Sequence, residues 1–155
     1  MLRKNKKLKT KASGGSFAIV ASRYNARYVD AMLRAARSEL KRAGAASVEI
    51  VRVPGAHEIP FVAARLARTR ESSLSAIICL GVILRGQTVH AEHIGRAVSH
   101  ALMEIQVRNE VPVIHEVLLL ENEEQARVRC LGGKHNRGTE AAQTALQMAR
   151  LMQTL

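Results

Sequence analysis

The chain alternates between short, mainly apolar runs and longer stretches in which apolar residues return every three or four positions. The apolar runs occupy residues 17–21, 48–53, 76–84 and 113–120. Runs of this length, bounded by polar residues, glycine or proline, are typical of buried strands. Helical spacing occupies residues 29–43, 58–70, 94–109 and 139–152, with a short helical turn at 123–129. The pattern therefore predicts four strands alternating with helices.

The connections between these strands predict how the sheet is built. Each crossover is longer than ten residues, as parallel strands require. Right-handed crossovers then cover both faces of the sheet with helices. With 155 residues and 47% hydrophobic content, the chain can bury one core of its own. We therefore predict a single α/β domain with a doubly wound parallel sheet over residues 16–155.

Positive charge is concentrated at the start of the chain. Lys and Arg total 24 against 13 Asp and Glu, a formal net charge of +11, and six of the basic residues precede Ser13. Residues 1–15 show no apolar periodicity, which predicts a flexible, solvated tail. The excess charge is compatible with nucleic acid, an anionic membrane surface or anionic small molecules as partners.

Targeting signals and cysteines narrow the expected location. No stretch is long and apolar enough to span a membrane, and the opening segment has neither the apolar run of a secretory signal nor the spacing of a transit peptide. Cys79 and Cys130 fit no metal-binding spacing, and Cys79 lies within a predicted buried strand. We expect a reducing, cytoplasmic location.

Polar segments follow directly on the predicted strands. Tyr24 follows the first, residues 54–58 the second, residues 84–90 the third, and further polar residues follow Leu120. Because the carboxyl ends of parallel strands meet at one edge of the sheet, these segments should lie together where such sheets bind ligands. An aromatic ring, helix-starting amides, a histidine and arginines suit a planar, hydrogen-bonding substrate together with a phosphate.

Five motifs resemble those of a known family. They are RYN at 23–25, VPGAHEIP at 53–60, GVILRGQTVH at 81–90, EQA at 124–126 with Arg129, and NRGTEAA at 136–142. In this order and at these spacings, they resemble the lumazine synthases from residue 17 to the carboxyl terminus.

The resemblance implies a fold and a reaction. The family fold is a flavodoxin-like three-layer α/β/α sandwich with a four-stranded parallel sheet. Lumazine synthases condense 5-amino-6-(ribitylamino)uracil with 3,4-dihydroxy-2-butanone 4-phosphate, the penultimate step of riboflavin biosynthesis, without metal or organic cofactor. They form homo-oligomers built of pentamers, with active sites between adjacent subunits, and neither a membrane nor nucleic acid is an expected partner.

The resemblance also assigns the pyrimidine-binding residues. Tyr24 matches the aromatic position over which the pyrimidine stacks. Ala56, His57 and Glu58 match the segment that holds the ribityl chain and pyrimidine through backbone amides and a carboxylate. The pyrimidine edge is expected at the backbone of Val82, Ile83 and Leu84.

Phosphate binding and proton transfer are assigned in the same way. Arg129 matches the arginine that pairs with the phosphate from the adjoining subunit, and His90 matches the histidine to which proton transfers are assigned. His93, three residues later, forms with His90 a His-x-x-His pair of the kind that can bind a metal ion. No cysteine or carboxylate residues at a suitable spacing supply the remaining ligands. The loop expected to bind the butanone phosphate comprises Arg85, Gly86, Gln87 and Thr88.

Three positions depart from the family pattern. His57 stands where Phe or Tyr is frequent, His115 where Phe commonly packs on the pyrimidine from the neighbouring subunit, and Arg137 where many members carry Lys. The two histidines leave open a paralogue that binds flavin or lumazine with weakened catalysis. The basic tail leaves open a purely structural shell protein or a nucleic-acid-binding assembly. Tyr24, His90 and Arg129 favour the enzyme.

Overall fold

A computed structural model describes residues 14–70 and 73–155 of the chain. The basic segment predicted as a tail thus lies almost wholly outside the described residues. Within them, four parallel strands form one sheet in the order β2-β1-β3-β4. The strands are β1 (Ser16–Ser22), β2 (Ser47–Val53), β3 (Ala76–Leu84) and β4 (Val113–Leu120). The predicted strands are confirmed, with ends that differ by at most one residue.

Helices connect the strands and follow the last one. They are α1 (Ala26–Arg42), α2 (Ile59–Thr69), α3 (His90–Asn109), α4 (Glu123–Ala126) and α5 (Arg137–Met152). A 3-10 turn (Ala56–Glu58) precedes α2, and a π turn (Arg127–Leu131) follows α4. Pro60 lies in the first turn of α2, where its missing N–H costs no hydrogen bond. No helix among residues 14–70 and 73–155 is long and apolar enough to cross a membrane.

The helices form a layer on each face of the sheet. Phe17 and Ile19 of β1 pack on the α1 and α5 side, whereas Ala18 and Val20 pack on the α2 and α3 side. This alternation is what successive residues of a strand produce, and it buries both faces of β1. The predicted three-layer α/β/α sandwich, with the strand order of a flavodoxin-like sheet lacking its fifth strand, is confirmed.

Close packing of α5 on α1 fixes the start of α5. A Cβ atom at Gly138 would lie 2.0 Å from the carbonyl oxygen of Met32, so only glycine permits this approach. Two hydrogen bonds of Asn136 secure the same end of the helix. Its Oδ1 accepts from the Gly138 N–H at 2.9 Å, and its Nδ2 donates to the Cys130 carbonyl at 2.7 Å.

Two boundaries differ from the sequence prediction. The third helix, predicted from Ile94, begins one turn earlier at His90. Its first turn is mostly polar, with only Ala91 buried, so the apolar spacing did not reveal it. The helical turn predicted at 123–129 divides into α4 and the π turn, which extends to Leu131. The residues around His90 therefore begin a helix rather than continue a loop.

Candidate active site

A cavity of about 890 Å³ opens at the carboxyl ends of β1, β2 and β3. It lies beside the point between β1 and β3 where the strand order reverses, the usual ligand site of open α/β sheets. Ten predicted site residues or loop positions line it: Tyr24, Ala56, His57, Glu58, Val82, Ile83, Leu84, Gly86, Thr88 and His90.

A tight turn after β1 presents Tyr24 to this cavity. The Tyr24 N–H donates to the Pro54 carbonyl at 3.0 Å, and the residue remains 73% exposed. Asn25 adopts the left-handed conformation, with φ of 56°, and its Nδ2 donates to the Val82 carbonyl at 2.7 Å. These bonds tie the turn to β3 and leave the aromatic ring free to meet a ligand.

The 3-10 turn forms a second wall of the cavity. One carboxylate oxygen of Glu58 accepts a hydrogen bond from the Gly55 N–H at 2.8 Å, so Glu58 stabilises the turn that carries it. Its other oxygen lies 4.0 Å from Nδ1 of His57. Both side chains are largely exposed, with 70% and 48% of their surfaces accessible for His57 and Glu58, so both can reach a ligand.

The start of α3 forms the third wall. His90 is the first residue of this 20-residue helix, and its N–H contacts the Thr88 hydroxyl at 3.4 Å. The first amides of a helix lack intrahelical partners and favour anionic groups. A Cβ atom at Gly86 would meet nothing within 4 Å, so there is open space beside the backbone here. The wall thus places helix-starting amide donors beside the imidazole of His90.

His93 also lines the cavity, one turn after His90. Within the described parts of the chain, no group of three or more His, Cys, Asp or Glu residues could hold a metal ion. The His-x-x-His spacing thus gains no third ligand from the fold.

Five predicted site residues lie outside the lining of this cavity: Arg85, Gln87, His115, Arg129 and Arg137. Arg85 points to the other side of the α3 start, where its guanidinium pairs with Glu92 and, at 2.9 Å, with Glu121. Gln87 is exposed in the loop before α3. In a single chain, Arg85 is thus committed to its carboxylate partners.

The Arg137 guanidinium is similarly occupied. Its Nε and Nη2 donate to both Glu116 oxygens at 3.0 and 2.9 Å, and its Nη1 donates to Glu140 at 2.7 Å. Burial raises the pKa of the Glu116 carboxyl, although Arg137 acts in the opposite direction. Since only 9% of the Glu116 side chain is accessible, removing Arg137 would leave this buried carboxylate without its main partner.

Arg129 differs from its neighbours because it lies in the π turn without an ion-pair partner in the described part of the chain. Arg127, two residues earlier, pairs with Glu124 at 2.6 Å. The π turn itself is anchored by buried Cys130, whose carbonyl accepts from Asn136. π-helical turns are rare in proteins, and those that occur often lie at functional sites. Arg129 is therefore a cation of this region that remains available for a ligand.

His115 is exposed on β4, one of the two edge strands of the sheet. Its Nε2 lies 2.7 Å from the Ser99 hydroxyl of α3, and its Nδ1 lies 3.2 Å from the Val117 nitrogen. Burial of part of the ring lowers the pKa of His115, while a contact with its own backbone acts in the opposite direction. The structure thus presents a neutral imidazole at the edge of the sheet.

Sequence reasoning gave no role to Asn25, the residue that fixes the Tyr24 turn. One signal could have shown its role: asparagine tolerates the left-handed conformation better than most residues, and Asn25 lies in the polar segment between the first predicted strand and the first predicted helix. Ile94 and Ala97 also line the cavity. They were predicted only as helix positions, because apolar lining residues look like core residues in a sequence.

Comparisons with known proteins show which family the chain resembles. The family model described as 6,7-dimethyl-8-ribityllumazine synthase matches residues 14–153. The chain is 43% identical over 141 residues to the enzyme of that name from Stenotrophomonas maltophilia (strain R551-3), and 42% identical over 141 residues to that from Xanthomonas campestris pv. campestris (strain B100). Each alignment covers 90% of both chains. The chain therefore belongs to the 6,7-dimethyl-8-ribityllumazine synthase family.

Proposed function

We propose that this protein is a transferase of riboflavin biosynthesis. It condenses 5-amino-6-(D-ribitylamino)uracil with 3,4-dihydroxy-2-butanone 4-phosphate to 6,7-dimethyl-8-ribityllumazine, with release of phosphate and water. The observation that carries the proposal is the cavity at the carboxyl ends of β1, β2 and β3, which gathers Tyr24, Glu58 and His90 in a chain of this family. Its volume of about 890 Å³ is within the usual range for small-molecule sites.

The pyrimidine substrate would occupy the side of the cavity near β1 and β2. Tyr24 supplies an aromatic surface for stacking, and the backbone at the ends of β2 and β3 supplies hydrogen-bonding groups for the pyrimidine edge. Glu58 can accept hydrogen bonds from ribityl hydroxyls through the oxygen that does not bond Gly55. This arrangement orients the substrate amine toward the start of α3.

The butanone phosphate would lie at the start of α3, beside Gly86, Gln87 and Thr88. In the reaction, the amine attacks the ketone and water leaves as the imine forms. Elimination of phosphate then leaves an enol that becomes a new ketone, and the ribityl-bearing nitrogen closes the ring on this carbonyl with loss of a second water. His90 stands at this position, where an imidazole can serve as general acid and general base. Much of the acceleration should come from holding two reactive substrates together, because positioning alone lowers such barriers substantially.

A second copy of the chain would complete the site. Arg129 and His115 lie outside the lining of their own chain's cavity, yet Arg129 lacks an ion-pair partner in the described residues and His115 is exposed. We infer a homo-oligomer, of the pentameric kind, in which these residues meet the cavity of the adjacent subunit. Cys79 and Cys130, free and buried, agree with the cytoplasmic location that we propose.

The first test is the rate of lumazine formation by the purified protein, followed by absorbance after subtraction of the spontaneous reaction. A saturable rate above background is expected, and His90→Ala should lower kcat without abolishing it. His100→Ala, a change on the same helix outside the cavity lining, should leave the rate unchanged. A folded protein that binds flavin tightly but gives no rate above background would instead be a binding paralogue.

The shared site has its own test in mixed oligomers. Suppose that each site takes His90 from one subunit and Arg129 from the next. When His90→Ala and Arg129→Ala chains assemble at random in equal amounts, about one quarter of the sites then receive both native residues. Activity above that of either variant alone is therefore expected. No recovery in verified mixed oligomers would place both residues in one chain's site and overturn the shared arrangement.

A further inference from the structure

The imidazole of His115 is held at both nitrogens. The Val117 N–H donates to Nδ1 at 3.2 Å, so Nδ1 must carry a lone pair rather than a proton. In the neutral ring the proton then resides on Nε2, which lies 2.7 Å from the Ser99 hydroxyl and donates to it. The two contacts therefore select one tautomer and one ring orientation.

The surroundings of this ring also disfavour the charged form. Protonation of Nδ1 would set its N–H against the Val117 N–H. Partial burial lowers the pKa of His115 and outweighs the contact with its own backbone, which acts in the opposite direction. No carboxylate in the described residues contributes to the shift. The next residue, Glu116, packs on the opposite face of β4 and pairs with Arg137. The groove beside Ser99 is lined by four charged or titratable residues: Arg85, Glu92, Arg96 and His100. Of these, Arg85 and Glu92 are paired with each other.

We propose that Ser99 is a positioning residue for lumazine formation, which holds His115 as a neutral, Nε2-protonated ring that stacks on the pyrimidine bound in the adjacent subunit. The inference rests on the proposed function. A neutral imidazole presents a flat, uncharged face as a phenyl ring does, and the hydroxyl of α3 keeps that face turned outward.

The tautomer is tested by ¹⁵N NMR of histidine-labelled protein, with the His115 signals assigned by their loss in His115→Phe. The native protein is expected to show a pyridine-like Nδ1 and a pyrrole-like Nε2. Ser99→Ala should give a mixture of tautomers, and Ser99→Thr, which keeps a hydroxyl, should restore the native signals. A protonated or Nδ1-protonated ring in the native protein, or an unchanged ring in Ser99→Ala, would overturn the proposal.

Kinetics test whether the effect reaches the substrate. Ser99→Ala should raise KM for the pyrimidine by about two- to tenfold, which is the change in affinity expected from the loss of one hydrogen bond. The value of kcat should stay nearly unchanged. The same change in a His115→Phe background should have no effect, since the ring that Ser99 positions is absent. Equal effects in both backgrounds would show that Ser99 does not act through His115.

The two experiments also separate this inference from the function on which it rests. A native protein without any lumazine synthesis would overturn the proposed function, and with it the role of Ser99 in that reaction. The NMR spectra would still show whether Ser99 fixes the ring. An active enzyme with an unchanged ring in Ser99→Ala would overturn the inference about Ser99 alone.

Discussion

The cavity at the ends of β1, β2 and β3 can be compared with a second region, which comprises β4, α4, the π turn and the start of α5 and is here called the outer edge. The two regions differ in whether their predicted site residues meet within one chain. In the cavity, motif residues far apart in the sequence, such as Tyr24, Glu58 and His90, converge within one chain. At the outer edge, Arg129 and Arg137 belong to equally recognisable motifs but line no part of that cavity. Motifs that occur together in a sequence thus need not meet within one copy of the chain.

The two regions are also held differently. Polar side chains bonded to backbone groups shape the cavity, as where Asn25 donates to the Val82 carbonyl and Glu58 accepts from the Gly55 N–H. Side chains secure the outer edge, with His115 bound to α3 on one face of β4 and Glu116 bound to α5 on the other. A single substitution at the outer edge should therefore break a contact between side chains of two different elements, whereas a substitution in the cavity walls breaks a contact between a side chain and the backbone.

The largest expected effect comes from Gly138→Ala, which strikes the base of the outer edge. The new Cβ would lie 2.0 Å from the Met32 carbonyl oxygen, so α5 must move away from α1. We expect a loss of about 3 kcal/mol in the free energy of unfolding, the upper end for overpacking. This corresponds to a Tm lower by roughly 6–12 °C in calorimetry or thermal circular dichroism.

Gly133→Ala is the matched control for this substitution. A Cβ there would meet nothing within 4 Å, so its Tm should stay close to that of the native protein. Equal Tm values for the two variants would mean that the start of α5 is not fixed by its approach to α1.

The next largest effect is expected for Arg129→Ala. Loss of a charge-assisted contact to phosphate should lower kcat/KM for the butanone phosphate by roughly a hundredfold. Steady-state kinetics with the phosphate substrate varied measures this change. Arg127→Ala, in the same π turn, should leave kcat/KM unchanged because that exposed guanidinium already pairs with Glu124. Similar losses in both variants would assign the effect to general positive charge.

The smallest effect concerns His115 and pH. Its pKa in the folded protein lies below the reference value of 6.5, so the neutral ring stabilises the fold above that pH. This contribution is lost as pH falls through the folded pKa, because the unfolded chain gains its proton more readily. The unfolding free energy of the native protein relative to His115→Phe should therefore decline below about pH 6.5. If the unfolding free energies of the native protein and His115→Phe changed in parallel from pH 8 to pH 5, this prediction would be contradicted.

The residue pattern was sufficient to predict the layers of the fold. A strand buried on both faces must be apolar throughout, and a helix packed on one side must repeat its apolar residues every three or four positions. Apolar periodicity did not predict the start of α3, because its first turn lines the cavity rather than the core and its residues are mostly polar.

The sequence by itself determined the order of the elements, the edge of the sheet where ligand-binding residues gather, and the motifs that define the family. Only the tertiary structure decided that Arg137 is occupied by Glu116 and Glu140, that Arg129 has no such partner in the described residues, and that Ser99 holds His115. The reason is geometric. Periodicity reports which residues are buried, whereas the pairing of two polar side chains depends on distances between elements that lie far apart in the chain.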